Sequence, residues 1–411
     1  MTYNAIAIRS HFPALTAGLA HFDGPGGTQT PRQVGAAIAL TLTRPLTIRG
    51  TRSLPERNAE AAVQGFRQAC ADLLGADPRG IIYGRSATAL TYDFSHHLSQ
   101  HWGPGDEIVV TRLDHDANIS PWVQAAERVG ATVRWVDFDP ATGELTAAMV
   151  AAVLTSKTRL VAVTAASNLI GTRPPITAIA ALVHAVDALL WVDGVHNTPH
   201  ASVDVQTLGA DFYVCSAYKF LGPHCGVLAA APELLETLHP DKLVASTDAS
   251  PERFEFGTLP YETMVGVTAA IDFLAALVPA GADAAAAGAA APSRREQLLA
   301  SFAALEEHEA ALRARLESGL AELPGVTIHS RAANRTPTLL ITFANHSAAD
   351  ASLFLIERKV LAPAGSFYAL EASRVLGLGD AGGLRIGLAA YTTAGEIERL
   401  LVGLEDFLQQ P

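Results

Sequence analysis

Seven short apolar segments, at residues 80–83, 107–111, 131–138, 159–165, 188–193, 211–216 and 226–230, alternate with stretches that carry helical spacing. Segments this apolar read as strands buried on both faces, and a helix between successive strands supplies the crossover that parallel pairing requires. The alternation therefore predicts an α/β fold with a mainly parallel seven-stranded sheet covered on both sides. A chain of 411 residues is longer than one core usually supports, so two domains are expected.

The second domain is marked by a change of pattern. An Ala/Gly-rich connection at 279–292 is followed by a long amphipathic helix from Glu296 to Leu323, short strands at 326–329 and 338–343, and a last helix from Thr393 to Leu408. We expect a large domain at 20–275 and a smaller α+β domain made of 1–19 and 293–411.

Composition excludes several classes of function. The formal charge of -12 offers no general attraction for nucleic acid or anionic lipid. No apolar stretch is long enough to cross a bilayer, and the first residues lack a basic region followed by an apolar core, so neither a membrane span nor a secretory signal is expected. Three cysteines, Cys70, Cys215 and Cys225, are too few and too unpatterned for a disulfide framework, which suits the cytoplasm.

The chemistry concentrates where strands end. The run Phe212-Tyr213-Val214-Cys215 leads into Ser216-Ala217-Tyr218-Lys219 and a Gly/Pro turn, and the run 188–192 ends in Asp193-Gly194-Val195-His196. Ligands of open α/β sheets bind beyond the carboxyl ends of strands, so one amine and one carboxylate share a cleft. Pyridoxal phosphate needs such a pair, a lysine for its Schiff base and a carboxylate to keep the pyridine nitrogen protonated. Taken alone, a solvated lysine at a turn and a capping aspartate explain the two residues equally well.

The wording around them is more specific. Ala166-Ser167-Asn168-Leu169-Ile170-Gly171-Thr172, Val192-Asp193-Gly194-Val195-His196, Leu208-Gly209-Ala210-Asp211-Phe212 and Ser216-Ala217-Tyr218-Lys219 occur in order, and this resembles the class V aminotransferase family, nearest its cysteine desulfurase and selenocysteine lyase branch, from about Phe22 to the last helix. The resemblance implies the pyridoxal-phosphate transferase fold of type I, a homodimer and a small amino-acid substrate.

It also implies roles residue by residue. Lys219 forms the Schiff base and shuttles protons, Asp193 partners the pyridinium, and His115 stacks on the cofactor ring. Ala87, Thr88 and Ser216 take the phosphate, with Gly257 and Thr258 presented across the dimer interface. Asn168, Tyr218 and His196 hydrogen-bond the cofactor or substrate, His196 standing where desulfurases commonly have glutamine and Tyr218 where they often have histidine. Arg385, on an apolar segment, holds the substrate carboxylate, which a guanidinium grips bidentately. Gly26 and Tyr368 lie in loops that shape the substrate pocket.

His196 and His200 have the spacing of a helical metal pair, but Pro199 disfavours the helix and no metal is expected. Arg49 and Arg52 read as solvated charges, with reach to a distal acid of the substrate from the partner subunit as the alternative. One departure stands out: Tyr368 occupies roughly the place of the branch's sulfur-accepting cysteine, and no cysteine follows Cys225. The expected function is cysteine desulfurase-like, carbon–sulfur lyase-type chemistry through Lys219, with transamination or epimerisation as the alternative. A noncatalytic binding protein on the same fold is the contrasting reading, and the joint presence of lysine, aspartate, histidine and arginine argues against it.

Overall fold

The computed structural model describes residues 3–279 and 291–410. Residues 280–290 of the expected Ala/Gly-rich connection lie outside the described residues.

The strands, in chain order, are β1 (Ala20–His21), β2 (Ile81–Gly84), β3 (Glu107–Thr111), β4 (Thr132–Val136), β5 (Thr158–Thr164), β6 (Leu189–Asp193), β7 (Phe212–Ser216), β8 (Gly226–Ala230), β9 (Val326–Ile328), β10 (Thr338–Phe343), β11 (Val360–Leu361), β12 (Ala364–Gly365) and β13 (Gly383–Gly387). Seven of them form one sheet in the order β2-β8-β7-β6-β5-β3-β4, in which β8 alone runs against the rest. All seven apolar segments of the sequence are strands of this sheet.

The centre of the sheet is dry. Leu160 to Val163, Leu190 to Val192 and Phe212 to Val214 are fully buried, and Trp191 packs against Phe94, Trp122 and Phe212. Burying each Val, Leu or Phe side chain among them stabilises the fold by about 1.5–3 kcal/mol. Burial on both faces leaves only the strand ends free to present polar groups.

Three long helices start where the sequence signals it. Leu54–Leu74 opens on a capping box of Ser53 and Glu56 and stops at Gly75, which adopts φ 61°. Arg294–Ala321 and Ala394–Leu408 open on capping boxes of Ser293 with Glu296 and Thr393 with Glu396. A four-stranded antiparallel sheet, β12-β13-β10-β9, has its own core, including Leu316, Leu339, Ile386, Leu400 and Leu404. β1 joins this C-terminal body by pairing in parallel with β11.

The N-terminal stretch touches both bodies: Arg9 binds Glu396 at 2.8 Å, while Phe12 packs edge-on against both Phe273 and Tyr391. Among the described residues no helix is long and apolar enough to cross a membrane.

Candidate active site

Four neighbouring strands deliver the site. β3 leads to His115, β5 to Asn168, β6 ends in Asp193, and β7 ends in Ser216 just before Lys219. From the other side β13 brings Arg385, paired in register with Leu340 of β10. The result is a cavity of about 490 Å³ lined by Gly26, Thr88, His115, Asn168, Tyr218, Lys219, Tyr368 and Arg385, with a deeper chamber lined by Ala87, Thr88, Asp193, His196, Ser216 and Lys219.

At the chamber floor a helix begins. Ser86 caps Ala87–Ser99, its hydroxyl accepting from the Ala89 amide at 3.0 Å. The first amides of a helix have no intrahelical carbonyl to bind, so those of Ala87 and Thr88 stand ready for an anion. The helix start sits tightly on β8. A Cβ at Gly226 would lie 2.4 Å from the Ser86 carbonyl carbon and 2.6 Å from the Ala87 nitrogen, so this strand position has to be glycine.

Lys219 is 6% exposed, and its ammonium donates to the Pro25 carbonyl. Burial, reinforced by Arg385, lowers its pKa to about 7, against a smaller opposing pull from Asp193. Asp193 is pushed up to about 6 by burial, while the Val195 amide, which donates to it at 2.8 Å, and Lys219 favour its ionised form. Arg385, 3% exposed, is lowered to about 9 by burial. Its guanidinium donates to the Asn168 carbonyl at 3.0 Å and lies 3.7 Å from the Phe367 ring centre. Neither cation has a carboxylate within ion-pair distance among the described residues.

His115 accepts the Ala117 amide on Nδ1 at 3.0 Å, and burial, then Lys219 and Arg385, lower its pKa to about 3. It is therefore neutral with its proton on Nε2. Its ring stacks on Tyr368 at a centroid distance of 5.4 Å. Tyr368 is 74% exposed, and both it and Phe367 adopt left-handed backbone angles, φ 59° and 55°. That segment is held by the Asn168 amide donating to the Phe367 carbonyl at 2.9 Å and the Asp116 amide donating to the Tyr368 carbonyl at 2.7 Å. Strained aromatic residues at a cavity mouth persist only when such neighbours fix them.

Three polar atoms buried at the site have no hydrogen-bond partner among the described residues: Asn168 Oδ1, His196 Nδ1 and Arg385 Nε. Buried polar groups are nearly always paired, and although other unpartnered atoms are scattered through the molecule, these three belong to residues that line the same cleft.

Gly257 and Thr258 lie on an exposed loop and do not line the cavity of their own chain. Arg49 is not a solvated charge: it binds Glu60 at 2.8 Å and Glu252 at 2.9 Å. Sequence reasoning missed Asp114, which lies behind His115, accepts from Asn118 at 2.7 Å and from the Thr111 hydroxyl, and is pushed up to about 8 by burial. Its place in Asp114-His115-Asp116 was the available signal. Thr336 and Thr338, which bind His196, carried none.

The Aminotransferase class-V family model matches residues 20–301 and 284–400. An uncharacterized protein of Mycobacterium tuberculosis is 32% identical over 98% of this chain and 99% of its own length. A cysteine desulfurase of Klebsiella pneumoniae is 30% identical over 98% of both chains. The fold is that of a cysteine desulfurase from Escherichia coli, with a TM-score of 0.85, 24% identity, and 100% of this chain and 99% of that one covered. The match spans nearly the whole sequence, and the chain belongs to the class V aminotransferase family, whose members are pyridoxal-phosphate-dependent enzymes.

Proposed function

We propose that the enzyme binds pyridoxal phosphate at Lys219 and cleaves a carbon–sulfur or related bond of a small amino acid, releasing the leaving group to solvent. The observation that carries this reading is the pair of buried cations, Lys219 and Arg385, which face one cavity without carboxylate partners among the described residues. Buried charge is costly unless compensated, and an anionic cofactor together with an amino-acid carboxylate would compensate it.

The residues present fit that cofactor. Lys219 would hold it, Asp193 would partner its ring nitrogen, and His115 would cover its ring. Ala87, Thr88 and Ser216 would take its phosphate, and Tyr218 would support it. When bound, the cofactor supplies an electron sink for charge developing at the substrate α-carbon. Arg385 grips the substrate carboxylate, steered by the Asn168 carbonyl on one edge and Phe367 on one face. Lys219, neutral above about pH 7, takes the α-proton on Nζ. Phe367, Tyr368 and Gly26 line the cavity and would border the substrate.

No thiol in the chain can take up sulfur. Cys70, Cys215 and Cys225 are 0–1% exposed, and burial raises all three thiols, Cys225 to about 12. This same absence favours a second reading, transamination or epimerisation, which needs no sulfur acceptor.

A homodimer is part of the proposal. Leu40, Leu42, Ile48, Leu243, Val244 and Phe256 are each more than half exposed and fall in two segments that the Arg49–Glu252 ion pair ties together. Such an interface would bring the exposed Gly257 and Thr258 to a neighbouring phosphate. Three unpaired thiols support a cytoplasmic setting.

The test is visible absorption of the purified protein with pyridoxal phosphate, for wild type and Lys219→Ala, during addition of cysteine, cysteine sulfinate, selenocysteine and alanine. The wild type should show a cofactor band that Lys219→Ala lacks, and the amino acid that perturbs it, with its product, identifies the reaction. A wild type that binds no cofactor overturns the reading.

A further inference from the structure

His196 closes the deep chamber, yet it is held from the other body of the molecule. Its Nε2 lies 3.1 Å from the Thr336 hydroxyl and 3.0 Å from the Thr338 hydroxyl, on and just before β10. Its ring also meets His200 edge-on at a centroid distance of 5.3 Å, and His200 is locked by Glu309 of the long helix Arg294–Ala321 at 2.9 Å. All of these side chains are buried, and both threonines are 0% exposed.

The close approach is built into the backbone. Gly171 has φ 77°, and a Cβ there would lie 2.8 Å from the Thr336 hydroxyl and 2.9 Å from the Thr338 carbonyl oxygen. Only glycine suits both the angle and the space.

Hydrogen counting then fixes the tautomer. A neutral imidazole carries one N–H, and a buried hydroxyl must place its single hydrogen on an acceptor. The Thr338 hydroxyl has no hydrogen-bond partner but His196 among the described residues. Were Nε2 protonated, that hydroxyl hydrogen would have nowhere to go, whereas an Nδ1–H beside the chamber can meet an acceptor bound there. With Nε2 as acceptor, Thr338 donates to it, Thr336 shares its hydrogen between Nε2 and the Gly171 carbonyl at 3.4 Å, and the ring proton sits on Nδ1. Nδ1 is the buried nitrogen with no partner, on a residue that lines the chamber beside Asp193 and Lys219. Burial, then the neighbouring His200, Lys219, Arg385 and Arg173, keep the imidazole neutral.

We propose that Thr338, assisted by Thr336, is a positioning residue that fixes His196 as its Nδ1–H tautomer, so that the imidazole donates a hydrogen bond to an anionic ring oxygen of the bound cofactor. This rests on the pyridoxal-phosphate reading of the chamber. It assigns the C-terminal body a part in tuning the cofactor as well as in holding substrate. A hydroxyl at 338 thus matters through the nitrogen it leaves protonated.

Two readouts test it. In cofactor-free protein labelled with 15N-histidine, proton–nitrogen correlation spectra, assigned with His196→Gln, should show His196 protonated on Nδ1. Thr338→Val should shift the proton toward Nε2, and Thr338→Ser should restore Nδ1–H. In loaded protein, the midpoint of the pH titration of the visible band should rise by about one pH unit in Thr338→Val, the scale of one hydrogen bond to a charged group, and return in Thr338→Ser. A wild-type His196 protonated on Nε2 overturns the proposal even if no variant folds. So does a Thr338→Val protein with unchanged tautomer and midpoint. The tautomer is read without cofactor, so failure to bind pyridoxal phosphate would sink the chamber's assignment separately, leaving the threonine–imidazole geometry standing.

Discussion

Two clusters of buried charge are balanced in opposite ways. Along the helix Leu54–Leu74, Arg67 is 3% exposed and binds Glu255 at 2.9 Å and Glu252 at 3.3 Å, while Arg49, just before the helix, adds bonds to Glu60 and Glu252. Glu255 also accepts the Tyr83 amide at 2.8 Å. Each cation there meets carboxylates from this chain. In the cavity, Lys219 and Arg385 are as deeply buried and meet only backbone carbonyls and an aromatic face. The first cluster is paired within the chain, and the second lacks such pairing, which the proposed anionic cofactor and substrate would supply. Buried charge alone therefore does not mark a site; buried charge with no carboxylate in ion-pair contact, as here where Asp193 and Asp23 act on Lys219 and Arg385 only from a distance, is the more telling feature.

The contrast can be broken by substitution. Arg67→Met strands the Glu255 carboxylate, whose side chain is 2% exposed, and should cost about 3–5 kcal/mol in urea unfolding, with or without pyridoxal phosphate. Arg385→Met should instead leave the cofactor-free protein as stable as wild type or more so, and raise KM for the amino acid by about 10²-fold, the loss of a bidentate charge-assisted contact. Equal destabilisation by both changes would erase the distinction.

A pH profile sharpens it. Lys219 must be neutral to capture the cofactor, and its folded-state pKa is lowered from 10.5 to about 7. Capture rates measured by stopped-flow absorbance should rise about tenfold per pH unit below 7 and level off above it. A profile still climbing at pH 9 would mean that burial does not depress this amine.

Much of this was legible in the sequence, and the exceptions have physical causes. The strands of the large sheet are visible because burial on both faces makes them uniformly apolar, as in Leu189-Leu190-Trp191-Val192. Lys219 and Asp193 are legible because they follow such runs directly and stand in motifs that resemble those of the class V aminotransferase family. Thr336 and Thr338 were not, since a threonine near a strand reads as ordinary β-propensity and its partner is 140 residues away in sequence. The Phe367–Tyr368 backbone angles were hidden for a related reason: residues 115, 116 and 168, distant in sequence, impose them. Arg49 looked solvated because its partner Glu252 is equally remote.

The most direct test is thermal unfolding of cofactor-free and cofactor-loaded protein for wild type and Lys219→Met. A buried amine whose desolvation outweighs the pull of Asp193 costs the fold stability while it is protonated. Because the folded pKa lies below the unfolded one, that cost is fully present below about pH 7 and fades as pH rises toward 10.5. The account predicts that Lys219→Met melts higher than wild type without cofactor at pH 6, that the gap narrows with rising pH, and that the increment wild type gains from pyridoxal phosphate shrinks sharply in the variant. A variant that melts lower than wild type at pH 6 without cofactor would contradict the claim that the cavity's charge is left for a ligand to balance.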